Sequence, residues 1–139
     1  YRDWQVPLGR RFRSLKLWLV LRHYGAEGLR AHVREHIRLA TMLESWLRDD
    51  TRFELPVPRT CNLVCFRLRG PDSRTRRLMD ALNASGRVLL SHTTITKQGG
   101  PRLLIRMCIG ATTTREQHVR QAWAWIQEKG TRILAEQTN

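Results

Sequence analysis

With 139 residues the chain has the length of one domain, and 25 Lys+Arg against 12 Asp+Glu give it a formal net charge of +13. That balance fits either an anion- or nucleic-acid-binding surface or one part of a longer protein whose remainder carries the balancing acid. The apolar run 17–21 is far short of the ~20 residues that a bilayer span requires, so no membrane role is expected.

Residues 1–8 read as extended and aromatic, with Pro7 fixing the backbone and pushing Val6 out of helical geometry. Gly9 is a bare, permissive point. Residues 10–16 are basic, and 15–21 are apolar except at Lys16. A helix apolar on nearly every face is a buried one, so a buried helix is expected over about 10–24, stopped by Gly25. A second helix should run from Gly28 to Arg48 on the stripe Leu29, Val33, Ile37, Ala40, Leu43 and Leu47. Arg30, Arg34 and Arg38 share another face, which could bind phosphate but reads better as solvated or paired with acid. Glu44 and Arg48 form a helical i,i+4 pair. His32 and His36 are four apart but have no third ligand placed near them, so they read as surface residues and no metal site is expected.

Asp49, Asp50 and Thr51 predict a turn, and Pro56 and Pro58 confine 53–57 to an edge or loop. Residues 63–68 predict a strand with Val64, Phe66 and Leu68 on one face and Arg67 on the other. Asp72 or Ser73 should cap a third helix that buries Leu78, Met79 and Leu82 and ends at Gly86. Residues 88–95 and 103–109 predict a hairpin around the turn 97–101. In its second strand Leu103, Ile105, Met107 and Ile109 alternate with Arg102, Leu104, Arg106 and Cys108. Thr113 and Glu116 form a capping box for a last helix with Val119, Trp123 and Ile126 inward, weakened at Gly130 and fraying from Glu136. Cys61, Cys65 and Cys108 form no C-x-x-C pair. With Cys61 and Cys65 in a strand, they read as reduced residues of a cytoplasmic protein, not as a zinc site or disulfide framework.

This order predicts an α+β layer sandwich, a small, mostly antiparallel sheet with helices packed on it. Strand, helix, hairpin and helix in the second half also match the layout of a basic RNA-binding module, but its glycine-aromatic strand signature is missing. The start at Tyr1, without Met or a signal-like segment, predicts a cut or gap and not a natural terminus.

The run Tyr1-Arg2-x-Trp4-Gln5-x-Pro7-Leu8-Gly9-Arg10-Arg11-Phe12-Arg13-Ser14-Leu15-Lys16-x-Trp18 resembles the C-terminal part of the group II, pyridoxal-phosphate-dependent aromatic L-amino-acid decarboxylases. The resemblance continues through His32-Val33-Arg34, Val64-Cys65-Phe66-Arg67-Leu68, Ser91-His92-Thr93 and His118-Val119, and its texture is closest to the plant tryptophan and tyrosine enzymes. It implies the C-terminal domain of a fold-type I, aspartate-aminotransferase-like enzyme. Residues 1–24 would then be a connecting segment and buried helix from the large domain, and 25–139 the small domain. It further implies a cytoplasmic homodimer completed by the N-terminal part of the same enzyme, a small aromatic amino acid as substrate, and no nucleic acid partner.

The cofactor so implied is pyridoxal 5′-phosphate, held as an imine on a lysine that in the family follows a His upstream of this motif. Lys16, Lys97 and Lys129 are not in that context, so none is expected to hold it, and no catalytic residue is expected in this stretch. The family's loop tyrosine, replaced by Phe in aldehyde synthases, also lies upstream, so decarboxylase and aromatic aldehyde synthase both stay open. Gly9 is the candidate substrate- and cofactor-site residue. In the family this turn reaches the active site across the dimer interface, and glycine leaves room for an indole where Ser suits phenolic substrates. The resemblance thus implies L-tryptophan decarboxylation to tryptamine and CO2, with a tyrosine/DOPA decarboxylase as the alternative. Arg2, Arg10 and Arg13 read as structural ion-pair residues. Trp4, Trp18, Trp46, Trp123 and Trp125 read as core or interface residues.

Overall fold

The computed structural model describes residues 12–97 and 100–136. In chain order these form α1 (Arg13–Asp49), β1 (Phe53–Glu54), β2 (Leu63–Leu68), α2 (Asp72–Ala84), β3 (Ser91–Lys97), β4 (Gly100–Cys108) and α3 (Glu116–Ala135). The chain divides into two compact units at the Val33–Arg34 boundary.

In the first unit, α1 is broken at Gly25, whose φ of 62° and ψ of 178° lie in a region essentially confined to glycine. The sequence reading places a stop here and a restart at Gly28. The helix instead resumes at once, and Gly28 stays helical with its missing side chain facing Tyr24, whose Cβ would stand 3.3 Å from an added methyl. Leu15, Leu17, Trp18, Leu19, Val20 and Leu21 are between 44% and 60% exposed.

In the second unit, the C-terminal turns of α1 bury Leu39, Ala40, Leu43 and Leu47. His36 is only 4% exposed, which corrects its reading as a surface residue: the buried stripe turns slightly and takes in 36 and 39, while Val33 stays 53% exposed. The sheet has the order β1-β2-β4-β3, and every pairing in it is antiparallel. β2 forms as expected, with Val64, Phe66 and Leu68 fully buried. β3 and β4 pair from Ser91 opposite Arg106 to Lys97 opposite Gly100. β3 begins three residues later than its sequence suggests. The Asn83 side chain accepts from the Leu90 N–H at 2.7 Å and donates to the Leu90 carbonyl at 2.9 Å, which takes Leu90 out of the ladder. Helices and sheet share one core, in which Leu78, Leu82, Ile105 and Ile126 meet Phe66 and Leu43.

Several local expectations are replaced by other devices. Pro71 occupies the N-cap position of α2 without a side-chain cap, because Asp72 instead accepts from Arg67 and from the Leu103 N–H. α3 starts at Glu116, where the Arg115 N–H donates to His118 Nδ1 at 3.0 Å, so the box is built on 115 and 118 and not on 113 and 116. Gly130 sits buried inside α3 and does not end it. A methyl there would come 3.3 Å from Phe53 Cζ, so the bare position lets β1 lie close to the helix. Cys61 is in a turn with φ 50°, not in a strand.

Candidate functional site

Gly9, the one position to which the sequence assigns a substrate contact, lies outside the described residues, as do Arg2, Trp4 and Arg10. What the described residues show is how the rest of the motif is used. Phe66 is fully buried and meets Phe53 edge-on at 6.0 Å, and Phe53 in turn tilts against Trp123 at 5.3 Å. Trp123 and Trp46 are partly buried against the core, as expected, whereas Trp18 is 57% exposed. His118 caps α3. Phe66, Trp123 and His118 thus pack the core or cap a helix.

Arg67 was legible as a strand residue but not as a buried one. It is 1% exposed, with Nη2 donating to the Gly70 carbonyl at 2.6 Å and to Asp72 Oδ1 at 2.8 Å. Glu54 Oε2 stands 3.7 Å from its Nη1. A buried cation needs such acceptors, and only the packed structure reveals that 54 and 72 converge on 67.

Several other arginines are also paired with carboxylates. Arg38 bridges Glu35 and Glu116 at 2.8 and 3.1 Å. Arg48 and Arg59 share Glu44 at 2.7 and 2.8 Å. The Arg48 and Arg59 guanidiniums hold the Glu44 carboxyl below the usual carboxylate range, and Arg52 does the same for Asp50. Both groups are more acidic folded than unfolded. Their stabilisation is therefore present above the unfolded carboxylate pKa of about 4 and is lost as pH falls through the folded values. The thermal midpoint should stay level from pH 7 to about 5 and fall below about 4, less steeply in Glu44→Gln. A midpoint unchanged down to pH 3 would contradict this assignment. Burial pushes the Cys65 thiol up, so it stays protonated, and the three cysteines are free.

The described residues do not assemble a cofactor site. Lys16 is exposed on α1, Lys97 ends β3, and Lys129 lies on α3 with Nζ 3.3 Å from Glu128. Lys129 does border a cavity of about 340 Å³ with Arg77 and Arg132. Glu136 pairs with both of those arginines and brings a carboxylate to the cavity rim. Among the described residues there is no cluster of His, Cys, Asp and Glu able to hold a metal ion, and no helix long and apolar enough to cross a membrane.

Comparison with known proteins supplies the frame that these residues lack. Residues 1–69 match the pyridoxal-dependent decarboxylase conserved domain. The chain is 46% identical to tyrosine decarboxylase 2 of Narcissus pseudonarcissus over 97% of its length, and 46% identical to phenylacetaldehyde synthase of Arabidopsis thaliana over 96%. It superposes on the crystal structure of Catharanthus roseus tryptophan decarboxylase in complex with L-tryptophan with a TM-score of 0.83, at 40% identity over 95% of this chain. It spans 28% of the length of each of these proteins. The four-stranded antiparallel sheet with its helices is thus a piece of the aspartate-aminotransferase-like fold, and the family's cofactor is pyridoxal phosphate. On this likeness, which runs along nearly its whole length, the chain belongs to the pyridoxal-dependent decarboxylases and is most similar, among the proteins compared above, to plant enzymes named for aromatic amino acids.

Proposed function

We propose that this chain is part of an enzyme that decarboxylates an aromatic L-amino acid, converting L-tryptophan to tryptamine and CO2. Likeness to decarboxylases along nearly the whole chain supports the reaction. The choice of tryptophan is carried by Gly9, which leaves space for the indole ring where a hydroxymethyl group would intrude. Relatives of comparable identity are named tyrosine decarboxylase and phenylacetaldehyde synthase. These names favour a tyrosine/DOPA decarboxylase or an aromatic aldehyde synthase as the second reading.

In this reading 25–139 is the small domain, and 1–24 joins it to the large domain, which carries the cofactor and its lysine. The exposed leucines around Trp18 on α1 would be covered by that domain and by the second subunit of a cytoplasmic homodimer. The Gly9 turn would then form one wall of the neighbouring active site. This chain's contribution is shape, a bare backbone that admits the ring and a closed wall that keeps water out. The ion pairs that engage so many arginines support this role over a nucleic-acid surface.

In the full-length enzyme Gly9→Ser should lower kcat/KM for tryptophan relative to tyrosine. A steric difference of about 1–3 kcal/mol corresponds to roughly 5- to 150-fold. An unchanged ratio would remove the argument from ring size.

A further inference from the structure

Where the end of β4 meets the start of α3, a cavity of about 400 Å³ opens, within the size range of small-molecule sites. Its floor is apolar, made by the buried side chains of Met107, Ile109, Val119 and Ala122. Trp125 forms one wall, with the Arg87 guanidinium over its ring at 5.4 Å. Arg87 takes part in none of the ion pairs that engage the arginines described above, and no acidic side chain lines the cavity among the described residues.

The remaining lining is rich in donors: Thr113, Thr114, Gln121 and His118. His118 Nδ1 already accepts from the Arg115 N–H, so the neutral ring carries its proton on Nε2 and can donate there. Arg115 also donates to the carbonyls of Thr112 and Thr114, both at 3.1 Å, which fixes the threonine loop.

We propose that this cavity binds an aromatic monocarboxylate. The flat ring lies against Trp125 and the apolar floor, and the carboxylate takes a charge-assisted hydrogen bond from Arg87. An amine finds no carboxylate to meet it here. The same holds for the ammonium group of an amino acid, so the deaminated acid is the preferred form. The proposal does not depend on the reaction proposed above.

The test is calorimetric titration of the cofactor-loaded, full-length enzyme with indole-3-propionate, comparing wild type, Arg87→Gln and Gln121→Glu. The first variant removes the cation and the second sets a like charge in the lining. Both positions are exposed, so both variants should fold, which the thermal midpoint verifies. Each should weaken binding at least 10-fold while turnover of the amino acid stays unchanged. Absence of saturable binding to wild type would overturn the proposal. So would equal binding to all three proteins, which would mean that neither Arg87 nor the lining at Gln121 meets the acid. Loss of amino acid turnover in every protein, with this binding pattern intact, would count against the reaction and not against the cavity.

Discussion

Replacing Asp72 by alanine is expected to destabilise the fold by about 3 kcal/mol, the range for stripping one partner from a buried ion pair. The Arg67 guanidinium, 1% exposed, relies on Asp72 Oδ1 at 2.8 Å, and no acceptor for its Nε or Nη1 is found among the described residues. Glu54 at 3.7 Å is too far to replace that hydrogen bond. The same substitution frees the Leu103 N–H, which Asp72 Oδ2 accepts at 2.9 Å. Arg67→Met should cost far less, about 1 kcal/mol or below, because it removes the buried charge and leaves Asp72 partly in water. Urea denaturation of both variants tests the asymmetry. Equal losses would mean that Asp72 does not support Arg67.

Phe66→Ala is expected to cost about 3–5 kcal/mol, the range for deleting a fully buried aromatic side chain. Phe66 is fully buried on β2, and the aromatic contact it makes with Phe53 continues to Trp123 on α3. The cavity would therefore open where β1, β2 and α3 meet. Phe66→Leu should cost about 1.5 kcal/mol or less, since most of the volume is kept. Leu89, 88% exposed, gives the control: Leu89→Ala should leave the midpoint in place. A Phe66→Ala protein as stable as this control would mean that the core is assembled differently.

These residues also show what a sequence can reveal. Val64, Phe66 and Leu68 alternate cleanly between breakers, so β2 could be placed from the pattern, as could the body of α2 between Gly70 and Gly86. The start of β3 could not, because an amide seven residues upstream removes Leu90 from the ladder. Gly130 looks like a weak point in one dimension and is a packing position in three, since its reason is Phe53, far away in sequence. The burial of Arg67 and His36 likewise depends on partners set by folding. Gly9 is different in kind. Local chemistry marks it only as permissive backbone, and its reading as a substrate wall came from the family motif around it.

The most direct measurement is a full account of the products formed from L-tryptophan by the purified full-length enzyme with pyridoxal phosphate. Tryptamine and CO2 should appear in equal amounts, with no uptake of oxygen. Indole-3-acetaldehyde formed together with ammonia and hydrogen peroxide, or no turnover of tryptophan while tyrosine is consumed, would contradict the assignment.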